Sequence, residues 1–102
     1  MGVAFDLVAE PNRRRILDML LNGERPVGEL VATLALSQPA VSKHLRVLRD
    51  GGLVNVRTDA QRRLYSLRPG PLREIDDWIA PYRALWATHL DALEQHLNVM
   101  DD

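Results

Sequence analysis

Residues 36–54 read LSQPAVSKHLRVLRDGGLV, and they restrict the fold more than any other stretch. Ser37 is an N-cap residue by type, because its hydroxyl can accept from a backbone N–H of the first turn. Pro39 suits that turn, where the donor it lacks has no partner within the helix. Gly51-Gly52 marks the far end, where a residue with positive φ is wanted. Together these signals predict a helix over 38–50. On a wheel of about 100° per residue, Val41, Leu45 and Leu48 fall on one side. Pro39, Lys43 and Arg46 fall opposite, with Ser42 beside them and His44 on the flank. One face must pack on a domain, and the other is cationic and turned outward.

The flanking elements give this helix its setting. Residues 3–9 are a short apolar helical run ended by Glu10-Pro11. Ile16, Leu17, Leu20 and Leu21 predict a helix over 11–22, stopped at Asn22-Gly23. Arg25-Pro26-Val27 reads as an extended link. A brief helix opens at Gly28-Glu29, with Leu30, Val31 and Leu34 facing inward. Only Ala35, Leu36 and Ser37 separate it from the capped helix, which is a helix-turn-helix arrangement. Downstream, 53–57 and 63–67 are β-like runs joined by polar residues 58–62, so 53–68 reads as a hairpin, or wing. Beyond Pro69-Gly70-Pro71, Leu72, Ile75, Ile79, Tyr82, Trp86, Leu90, Leu93 and Leu97 recur in steps of three and four, predicting a helix over 72–97. Pro81 should kink or split it, because it removes a donor and crowds the preceding turn. The expected order is α-α-α-α-β-β-α, mainly α with a small β-hairpin (α+β). With 102 residues the chain is read as a single domain over 1–102, with one modest core.

Several function classes drop out. The chain has no cysteine, which excludes disulfides and thiolate metal sites and favours a cytoplasmic location. Residues 1–10 do not form a secretory leader, and no apolar run reaches membrane-spanning length. No phosphate loop, nucleophile elbow or His-Glu metal motif is present, so the chain reads as a non-enzyme without a cofactor. Ser42 and His44, two apart on a helix, do not face each other.

The net charge of −1 hides a division. Residues 1–70 hold eleven Arg/Lys against seven Asp/Glu, whereas residues 71–102 hold two against seven. A basic front can attract a polyanion despite a neutral total, because a ligand feels the local field. On the outer face of helix 38–50, Ser37, Gln38, Ser42, Lys43 and Arg46 offer donors for phosphates and base edges in a major groove. Arg57, Arg62 and Arg63 of the wing can reach a neighbouring phosphate or the minor groove. Each of these, taken alone, is equally a solvated surface residue. A rival reading is a protein-interaction module whose basic face docks an acidic partner. The last helix carries more apolar surface than a small winged domain can cover. Phe5 and Val8, with Trp78, Tyr82, Trp86, Leu90 and Leu93, therefore read as a homodimer interface. Intrachain packing is the competing assignment. A dimer would set two recognition helices about 34–36 Å apart, the spacing of successive major grooves.

PNRRRILDML, VGELVATLALSQPAVSKHLRVLRDGGLV and RRLYSL together resemble the winged-helix repressors of the arsenical-resistance (ArsR/SmtB) family. The resemblance spans nearly the whole chain. It implies a homodimer that binds double-stranded DNA at a dyad-symmetric operator and represses transcription. It also places base reading at Ser37, Gln38, Ser42 and Lys43. Many such proteins sense metals, but Pro26 and Gly28 stand where one family site has thiolates. At the other site, aligning on His89 puts Trp78 and Ala92 at ligand positions alongside Asp76. Two of four ligands are too few, so no metal is expected, and His89 and His96 read as surface or interface residues. A ligand-responsive version would hold its small-molecule effector between the Trp78/Trp86 helix and the winged core.

Overall fold

The computed structural model describes residues 2–100, with side-chain burial through residue 97. Its elements are α1 (Val3–Val8), α2 (Pro11–Met19) with a 3-10 turn (Leu20–Asn22), β1 (Arg25–Pro26), α3 (Val27–Leu34), α4 (Gln38–Asp50), β2 (Val54–Asp59), β3 (Arg62–Leu67), a 3-10 turn (Gly70–Leu72) and α5 (Arg73–Met100). The sheet is antiparallel with strand order β1-β3-β2. The predicted hairpin is therefore the larger part of a three-stranded sheet. The extended link at 25–27 contributes the third strand, with Arg25 opposite Tyr65 and Pro26 opposite Leu64. A proline fits at such an edge, where its missing N–H faces away from the ladder.

One core organises these elements. Ile16, Leu17, Leu20, Leu30, Leu34, Val41, Leu45, Leu48, Leu53, Val54 and Tyr65 pack together with Leu7 of α1. Val41, Leu45 and Leu48, the predicted inner face of α4, are at most 1% exposed. The short α1 is fastened by side chains of α2. Arg13 donates to the carbonyls of Leu7 (2.7 Å) and Asp6 (2.8 Å), and Arg14 to that of Val8 (2.6 Å). These bonds satisfy carbonyls that a helix end otherwise leaves open.

The two glycines after α4 serve different ends. Gly52 has the positive φ (83°) expected at a helix stop. Its N–H reaches the Arg49 carbonyl, and the Leu53 N–H reaches Leu48 at 2.9 Å, the paired bonds of a Schellman ending. Gly51 has an ordinary φ of −83°. A Cβ there would come within 2.3 Å of a Leu7 methyl, so this glycine makes room for α1 and not for a turn.

α5 departs from expectation. It runs as one helix straight through Pro81. Arg83 spans the proline turn, with Nη1 at 2.7 Å from the Asp76 carboxylate and Nη2 at 3.5 Å from the Asp76 carbonyl. Residue 81 is exposed, so water can satisfy the carbonyl that the proline leaves unpaired. At 28 residues the helix is about 42 Å long. It touches the rest of the chain mainly through α1 and the preceding 3-10 turn. The radius of gyration is 18.8 Å, against about 13 Å for a globular domain of this size.

Candidate nucleic-acid interface

α4 presents its outer face as predicted. Ser37, Gln38, Lys43 and Arg46 are exposed and Ser42 is half-buried. Ser37 Oγ accepts from the Ala40 N–H at 3.2 Å, which fixes the start of the helix. Its own hydroxyl proton remains available to an outside acceptor. The helix N-terminus offers few free backbone donors. Pro39 has none, Ala40 is taken by the cap, and the Val41 N–H bonds the Ser37 carbonyl at 3.1 Å. Within that turn, the Gln38 N–H remains.

The packing of β3 beside α4 creates a cationic notch. Ser42, Leu45, Arg46, Arg49, Arg63 and Tyr65 line a cleft of about 280 Å³. Three arginines and two hydroxyl-bearing residues line it, with no acidic residue among them, a composition that fits a phosphodiester oxygen. Among the described residues, Arg46 and Arg63 make no ion pair, and Arg49 approaches only Asp50, at 3.9 Å. Arg49 was missed in the sequence. It lies three residues after Arg46, but only the approach of β3 gives it company. Next to the notch, Gln38 shares an open groove with Pro26, Val27, Gly28, Gln61, Arg62 and Arg63. The sheet thus brings the start of α4 and the wing onto one surface.

The wing arginines differ in availability. Arg62 stands 3.9 Å from Asp59. Arg57 is forked onto Glu24: Nε donates to Oε2 at 3.0 Å and Nη2 to Oε1. Hydrogen bonding from Arg57 holds the Glu24 carboxyl below the usual carboxylate range, and the same bond raises the Arg57 pKa. The wing tip is a two-residue turn between Asp59 and Arg62. Ala60 occupies it at φ 56°, where glycine would be expected.

The residues assigned to an interface between copies fall into two sets. Val8 packs on the core of its own chain. Phe5 meets Trp78 edge to face at 5.6 Å, and Trp78 meets Tyr82 at 5.2 Å, yet Trp78 and Tyr82 remain 44% and 46% exposed, so this end of the stripe has partners within the chain without being buried by them. Farther along α5, Trp86, Leu90 and Leu93 are 52%, 65% and 54% exposed. Among the described residues, no group of three His, Asp or Glu side chains is placed to hold a metal ion. No described helix is long and apolar enough to cross a membrane.

Residues 10–56, from the cap of α2 to the middle of β2, match the profile of the bacterial regulatory protein, arsR family. The probable mercury resistance operon repressor of Streptomyces lividans is 38% identical over 90 residues, which cover 88% of this chain and 70% of that protein. The chain belongs to the arsR family. The transcriptional activator HlyU of Vibrio cholerae is similar to this arsR-family chain at 49% identity over 65 residues, covering 64% of this chain and 60% of HlyU. The chain thus matches less than two thirds of that relative's length. The solved structure of HlyU superposes with a TM-score of 0.67 at 40% identity, covering 78% of this chain and 87% of that one. The winged helix-turn-helix architecture read from the sequence is thereby established, and the relatives named are regulators, not enzymes.

Proposed function

We propose that this arsR-family chain is a DNA-binding transcriptional repressor that engages a dyad-symmetric operator as a homodimer. The observation that carries this reading is the outer face of α4. Gln38, Lys43 and Arg46 project from a helix fixed at both ends, beside an arginine-lined notch and the wing. Gln38 suits an adenine edge and Lys43 a guanine edge, whereas Arg46, Arg49 and Arg63 suit the backbone. The outer stripe of α5, from Trp86 through Leu93, supports pairing of two copies. Acidic residues on α5 favour placing that helix away from DNA.

The test is a selection of genomic fragments by the purified protein, run at low and at physiological salt. One palindromic site that survives physiological salt is the expected outcome. Binding that is sequence-blind and lost as salt rises would withdraw the repressor reading. It would leave a polyanion surface or a docking face for an acidic protein.

A further inference from the structure

Among the ion pairs described, the fork between Glu24 and Arg57 joins residues 33 positions apart, and it engages one of the wing arginines that the sequence assigns to DNA. We propose that Glu24 guards the wing: it occupies the Arg57 guanidinium in competition with DNA phosphate, and so limits sequence-blind attachment. This inference rests on the DNA-binding reading above.

Four observations carry it. The pair is doubly hydrogen-bonded through Nε and Nη2, so one of the two guanidinium edges that can grip a phosphate is already filled. Its side chains nevertheless stay open to solvent, at 58% for Arg57 and 35% for Glu24, so a phosphate can reach and displace the carboxylate. The wing does not need the pair to stay folded. β2 is laddered to β3 along its whole length, and exposed ion pairs add little to stability. Finally, Glu24 also feels the positive charge of Arg62, so one carboxylate lies in the field of two wing arginines. Return of Arg57 to Glu24 then competes with its attachment to any polyanion. That outcome serves a regulator which must leave non-operator DNA quickly.

The experiment compares the full-length protein with Glu24→Gln and with Glu24→Gln/Arg57→Gln. Equilibrium binding to a short random-sequence duplex is measured from about 50 to about 200 mM salt. One added phosphate contact steepens the logarithmic salt dependence by about 0.9. Glu24→Gln is therefore expected to bind more tightly at low salt. Its affinity should fall about 3.5-fold more than that of the unaltered protein across this range. The double variant should lose that gain.

An unchanged salt dependence in Glu24→Gln would overturn the proposal. If its thermal midpoint also fell, the pair would be a structural brace. Steepening that persists in the double variant would overturn it too, because the gain would then come from the lost negative charge alone. If the unaltered protein shows no salt-sensitive DNA binding at all, the DNA-binding reading itself fails.

Discussion

Gly51 and Ala35 show how one residue can be read from its neighbours. Gly51 faces a Leu7 methyl across a gap with no room for a Cβ. Gly51→Ala should therefore lower stability by about 1–3 kcal/mol in urea titration, as overpacking of a filled core does. Ala35 ends α3 at φ 56° and is exposed. Ala35→Gly should raise stability by about 0.5–1 kcal/mol, the relief of left-handed strain exceeding the entropy that glycine adds. On the outer face, Gln38→Ala and Lys43→Ala should each reduce discrimination between operator and random DNA. The loss should be about 1–3 kcal/mol in competition binding if either makes a bidentate base contact. Equal loss on both DNAs would place these residues on the backbone. The outward direction of Gln38 and Lys43 was legible, since helical periodicity alone sets it. The engagement of Arg57 was not, because its partner lies 33 residues away and no local pattern reports a pairing made by the fold.

At the scale of elements, α4 is the best-specified segment. Its cap, its inner face and its Schellman ending agree with one another, and all three are local signals. Ser37→Ala should cost about 1 kcal/mol of stability by thermal unfolding, through loss of the bond to the Ala40 N–H. Two other elements were read less well, each for a physical reason. β1 is two residues long and contains Pro26, so it carries neither alternation nor length, and it becomes a strand only because β3 passes beside it. Pro81 was expected to kink or split the last helix. On an exposed helix its unpaired carbonyl stays hydrated, and Arg83 bridges the turn to Asp76.

At the scale of the whole molecule, the chain measures 65 × 29 × 21 Å. About 42 Å of helix belongs to α5, whose outer portion holds tryptophan and leucine in water. An apolar stripe of that kind on a helix with little intrachain support calls for a second surface. Trp86→Asp should leave the winged core folded, because Trp86 takes no part in it, and should yield monomers in sedimentation velocity. A dimer unchanged by this substitution would move the interface off the stripe. The charge division belongs to the same scale. It was plain in the sequence as a basic front and an acidic tail, and the fold converts it into separate places. The helix-turn-helix and wing gather the arginines, and α5 carries the carboxylates of Glu74, Asp76, Asp77, Asp91 and Glu94.

Leu53, finally, ties together three elements. It is fully buried, its N–H bonds the Leu48 carbonyl, and its own carbonyl receives the Arg68 N–H at 2.7 Å. The end of α4, the start of β2 and the exit from β3 therefore turn as one rigid corner. Side chains on the outer face of α4 contribute nothing to that corner. Substitutions at Gln38, Lys43 or Arg46 therefore leave the wing at the same offset from the helix. On the DNA-binding reading proposed above, that face can change which bases it meets without changing the distance between helix and wing.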